Sequence, residues 1–70
     1  DIKKKLQTLY EMRQVIPVLR EGVTDSSLLK DFTISSLMLD MMFRKMCRTN
    51  GINLPPGALY EMRGGELYVT

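Results

Sequence analysis

Residues Thr24 to Phe43 read TDSSLLKDFTISSLMLDMMF, and where helices start within this stretch decides the architecture. Thr24, Asp25, Ser26 and Ser27 stand directly before Leu28, and short oxygen-bearing side chains accept hydrogen bonds from the unpaired amides of a first helical turn. A helix is therefore predicted from about Asp25 to Asp31. Phe32 and Ile34 bracket Thr33 in a short break, after which Ser35 supplies a second N-cap and a further helix runs to Thr49. On a wheel advancing roughly 100° per residue, Met38, Leu39, Met42, Phe43 and Met46 share one sector, predicted to face the core. Asp40, Arg44 and Arg48 fall opposite.

Upstream, Ile2, Leu6, Leu9, Tyr10 and Met12 recur at intervals that place most of them on one face of a helix from Ile2 to about Arg13. Pro17 has no amide hydrogen and its ring crowds the preceding turn, so this helix is predicted to end or kink near Ile16, with Gly22 as the break. Lys3, Lys4 and Lys5 oppose the helix dipole at its start, so their placement owes nothing to helix stability; a solvated basic end is the plainer reading, a partner contact the other.

Downstream, Thr49, Asn50 and Gly51 form a stop, Asn50 or Gly51 can take the left-handed closing turn, and Ile52 can fold back on the last turn. Pro55, Pro56 and Gly57 exclude continuation. Gly64 and Gly65 suit the two positive φ angles of a type I′ turn, which pairs Met62 with Leu67 and Tyr60 with Val69 on an apolar face. Arg63 with Glu66 and Glu61 with Tyr68 then form a largely polar face. A lone hairpin is marginal in water, so this one must dock on the helices. The pentapeptide LYEMR occurs twice, at Leu9–Arg13 and Leu59–Arg63; the flanks differ, which argues for coincidence rather than duplication.

Seventy residues with 44% hydrophobic and 26% charged residues fit one small globular domain, residues 1–70. Asp1 is neither an initiator Met nor the start of a signal pattern, which fits a fragment or processed piece of a longer protein. One cysteine, Cys47, and no histidine leave no internal disulfide and no ordinary zinc set, so no metal or cofactor is expected, and an intracellular compartment, cytoplasmic or nuclear, is compatible. No stretch has membrane-spanning length. An enzyme is the least expected class. There is no His base, no suggestive carboxylate pair and no Gly-rich phosphate loop, and Cys47 lacks a His partner.

With these elements in order, Thr24–Phe43 resembles the helix-turn-helix core of the winged-helix superfamily: a capped short helix with Leu28 and Leu29, an apolar pin Phe32, a turn at Thr33, and a second amphipathic helix. The stretch from Phe32 to Tyr68 is also similar in layout to phage and transposon excisionases. Thr33 in place of the family's common Gly, and Leu29 in place of a small residue, depart from the pattern. The resemblance implies a mainly α fold of three helices plus a C-terminal wing, with helix 35–49 as recognition helix and hairpin 58–70 as wing. It implies a regulatory domain binding double-stranded DNA through Ser35, Ser36, Arg44, Lys45, Arg48 and Arg63, with Lys3, Lys4 and Lys5 adding sequence-independent attraction. Asp40 in the middle of that face, and Leu37 and Met41 on a sector that should be wet, speak for the alternative: a protein-interaction or assembly module using Leu37, Met41 and Arg44. Fold analogy ranks DNA first; the net charge of +2 decides neither.

Overall fold

The computed structural model describes residues 1–70 as two helices followed by a two-stranded antiparallel sheet. Helix α1 spans Ile2–Arg20 and α2 spans Ser26–Thr49, joined by the short turn 21–25. Strands β1, Tyr60–Arg63, and β2, Glu66–Val69, form a ribbon. No helix is long and apolar enough to cross a membrane.

The expectation of three helices plus a wing is overturned. In place of a helix 25–31, a break and a helix 35–49 there is one uninterrupted helix of 24 residues. The physical reason lies in the residues themselves. Between Thr24 and Asn50 there is no Gly and no Pro, and the weak helix formers Thr33, Ser35 and Ser36 each cost only up to about 0.7 kcal/mol relative to Ala. Thr33 Oγ1 donates back to the Leu29 carbonyl at 3.0 Å, the alternative open to a hydroxyl inside a helix. Ser36 accepts from Arg13 Nε at 3.3 Å, so its hydroxyl is spent on α1. Asp25, by contrast, does cap: its carboxylate accepts from the Ser27 amide at 2.8 Å and the Leu28 amide at 3.4 Å.

Continuity of α2 is rewarded by its partner helix. Leu29, Phe32, Ser36, Leu39, Phe43 and Met46 recur at three and four along α2, as do Ile2, Leu6, Leu9, Arg13 and Ile16 along α1, and all are buried or half-buried. A break at Thr33 would rotate Leu29 and Phe32 off this seam. The same seam explains why Pro17 does not end α1 at Ile16. Its missing amide leaves only the Arg13 carbonyl without a helical donor, while Ile16 stays buried and the helix runs one more turn to Arg20.

The C-terminal half follows the sequence closely. Gly51, at φ +72°, closes α2 in a Schellman turn, with the Ile52 amide donating to the Cys47 carbonyl at 2.9 Å and the Gly51 amide to the Arg48 carbonyl at 3.3 Å. The ribbon pairs Tyr60 with Val69, Glu61 with Tyr68, Met62 with Leu67 and Arg63 with Glu66, the register set by the two-glycine turn. It docks on α1, where the Gln7 side-chain oxygen accepts from the Gly65 amide at 3.1 Å and Lys3 pairs with Glu66 at 3.3 Å. The core lies at this end of the molecule: Leu6, Leu9, Phe43, Cys47 and Met62 are packed together and flanked by half-buried Ile2, Tyr10, Leu39, Met46, Tyr60 and Leu67. The sector predicted for the core is therefore rotated. Phe43 faces in, but Met38 is 57% exposed and Met42 49%.

Candidate interaction surface

Two features stand out around α2, one polar and closed, the other apolar and open. The closed one is centred on Asp40, held between α1 and the ribbon. Its Oδ1 accepts from Arg13 Nη1 at 3.2 Å and from the Tyr60 hydroxyl at 2.5 Å, and its Oδ2 accepts from Arg44 Nε at 3.0 Å. Arg44 also donates to the Ala58 carbonyl at 3.0 Å, while the Tyr60 ring stacks on Phe43 at 4.2 Å. Burial pushes the Asp40 carboxyl up, but the hydrogen bonds from Tyr60 and Arg44 and the two guanidinium charges outweigh it and bring the pKa below its ordinary value of 3.8. Burial, then the bond to Asp40, pushes the Tyr60 hydroxyl from 10.0 to about 12. Every buried polar side-chain atom has a partner. This is a structural clasp that ties β1 to both helices.

The clasp uses up several residues that the sequence offered for binding. Arg44 is engaged with Asp40 and Ala58, and Ser36 with Arg13. Outside the clasp, Lys3 is paired with Glu66, and Arg63 with Glu61 at 3.3 Å, its guanidinium lying 4.1 Å over the Tyr68 ring, and both ion pairs are themselves exposed. Ser35, Lys4, Lys5, Lys45 and Arg48 remain exposed without such ties. Of these, Lys5 and Lys45 line one shallow groove with Ile2, Met42 and Met46, and Lys45 and Arg48 line another with Met38, Met41 and Met42. A recognition helix standing apart from a support helix does not exist, because both lie in α2.

The open feature is the face of α2 turned away from α1. Ile34 is 54% exposed, Leu37 57%, Met38 57%, Met41 67% and Met42 49%. Leu37 and Met41 thus lie where the sequence placed them, and Arg44, the third member of that strip, is turned into the clasp. Ile34, Met38 and Met42 also belong to this surface, Met38 and Met42 against the expectation that they face the core. The signal was present: with Leu37, Leu39 and Phe43, the middle of α2 is apolar nearly all round, a pattern that in a helix calls for burial on more than one side. The clasp was also legible in part, since Arg13 and Ser36 are polar residues at seam positions of the two helices.

Comparison with family models, with curated proteins and with solved structures finds no match to this chain.

Proposed function

We propose that this chain is a non-catalytic protein-interaction and assembly module whose contact surface is the outer face of α2, centred on Leu37 and Met41. The observation that carries this reading is the run of five large apolar side chains, Ile34, Leu37, Met38, Met41 and Met42, each about half exposed or more on successive turns of one helix. Scattered apolar residues on a surface are ordinary, but a contiguous set on one element marks a contact site. Methionine suits such a role, since its unbranched, polarisable chain adapts to a facing surface at little rotamer cost. Lys45 and Arg48 at one end and Asp31 at the other give the patch a charged rim, the arrangement common to protein interfaces.

Site-specific photo-crosslinking tests the proposal. A photoreactive side chain at position 37 or 41 is expected to yield protein adducts in the native setting, whereas one at Gln14, an exposed residue of α1, is not. Absence of adducts at both α2 positions overturns the reading. Adducts to nucleic acid from positions 45 and 48, with a salt-dependent shift of random duplex DNA, would replace it with the DNA reading.

A further inference from the structure

We infer that the partner of this face is a second copy of the chain, its α2 lying antiparallel across a two-fold axis that passes beside Met38; this rests on the interaction reading above and names its occupant. Along the outer face, Asp31, Ile34, Met38, Met41 and Lys45 recur at intervals of three and four, the spacing that lets one helix lay a continuous seam against another. All five are exposed. α2 therefore carries two such seams, one filled by α1 and one open.

Charge fixes the direction. Asp31 and Lys45 each lie seven residues from Met38, on opposite sides of it. A two-fold axis at Met38 with the helices antiparallel sets Lys45 of each copy against Asp31 of the other, twice per dimer. Ile34 and Met42, each four residues from Met38, then face one another from opposite chains, while Met41 of each copy faces Ser35 of the other. The parallel arrangement instead sets Lys45 beside Lys45 and Asp31 beside Asp31. Like charges directly opposed across a helix pair are unfavourable, so the pattern selects one orientation as well as permitting it. An isologous contact of this kind uses the same patch on both copies and closes after two.

The chain has surface enough for such a contact. A stable pair needs about 800 Å² from each partner, a sizeable share of the 5221 Å² of surface on this small chain. Affinity depends on how well the apolar side chains pack and not on area alone, so dimerisation is read across a wide concentration range.

Sedimentation equilibrium of the 70-residue chain across micromolar to millimolar concentration reads the result. The wild type is expected to pass from monomer to dimer and stop there. Met38→Lys, which sets two ammonium groups together at the axis, should weaken the dimer by about a hundredfold. Its helical circular dichroism should be unchanged, since residue 38 is 57% exposed. Lys45→Asp and Asp31→Lys alone should each weaken the dimer by about tenfold, and the double swap Asp31→Lys with Lys45→Asp should restore it. A chain that stays monomeric at millimolar concentration overturns the inference, as does a dimer that survives Met38→Lys or a double swap that fails to rescue. In those cases adducts from positions 37 and 41 to another protein would leave the interaction reading standing, whereas absence of all adducts would remove both.

Discussion

The two faces of α2 are nearly alike in composition and opposite in circumstance. Inward lie Phe43, 1% exposed, and Cys47, 0% exposed, with Leu39 and Met46 half-buried; outward lie Ile34, Leu37, Met38 and Met41, all more than half exposed. Hydrophobicity alone does not separate them. What separates them is the geometry of the neighbours: α1 and the ribbon lean on one side, and nothing in the chain reaches the other. The inward face supplies stability, and the outward face is left to bind. The largest effect that tests this contrast comes from Phe43→Ala, which removes a fully buried ring from the core cluster and from its stack on Tyr60 and should destabilise by about 3–5 kcal/mol. Met41→Ala, measured by denaturant unfolding at a concentration where single chains prevail, should cost less than about 0.5 kcal/mol. Equal costs would mean that the outer face is covered within the folded monomer.

Next in size is the clasp that binds the inner face to the ribbon. Asp40→Ala leaves the Arg13 and Arg44 guanidinium groups and the Tyr60 hydroxyl without their shared acceptor, a loss of about 1–3 kcal/mol for a carboxylate only 20% exposed. Urea unfolding of this variant should also show a weakened response to acid. A carboxyl held below its ordinary 3.8 stabilises the fold at neutral pH. That contribution is complete above about pH 5 and is lost as pH falls through the folded-state value. At the alkaline end the slope of stability with pH is reversed. Tyr60 is raised from 10.0 to about 12, so the fold favours its protonated form and loses that preference as pH rises through this window. In a titration of tyrosine absorbance, one of the three tyrosines should ionise near 12 and return toward 10 in Asp40→Ala. If it does not, Asp40 is not the group that holds Tyr60.

How far the sequence alone reaches is clearest in the repeated pentapeptide. LYEMR at Leu9–Arg13 lies within α1, with Leu9 buried and Met12 51% exposed. LYEMR at Leu59–Arg63 supplies β1, with Leu59 74% exposed and Met62 buried. Five residues do not choose between helix and strand. The choice is made outside them, by Gly64 and Gly65 following one copy and the seam residues Ile2, Leu6 and Ile16 flanking the other. The ribbon and its register were legible because a two-glycine turn between alternating residues is a local signal. The end of α2 at Gly51 was legible for the same reason. The expected break at Thr33 does not form, because serine and threonine are capping residues only where a helix has another reason to start. Asp25 had one, in the turn at Gly22, and Ser35 did not. A helix that starts at Ser35 has no Leu29 or Phe32 on its wheel, and without them the apolar sector takes in Met38 and Met42. Leu37 and Met41 were found on the surface because apolar residues on a sector shared with Arg44 and Arg48 conflict with any single-core reading.

The smallest effect bears on the element both faces share. Two seams on one helix keep their angular relation only if the helix is unbroken from Leu29 to Lys45, and Thr33 is the residue at which continuity was least expected. Its side chain is exposed and bonds only back to the Leu29 carbonyl. Thr33→Ala should therefore raise stability by about 0.5 kcal/mol, the difference in helix propensity, and leave dimerisation unchanged. At a turn between two helices the same substitution would bring no such gain, because Ala has no advantage outside a helix. A small stabilisation at this position thus shows that the inner and outer faces are two sides of one continuous rod, so that where α1 holds Phe43 also fixes where Met38 points.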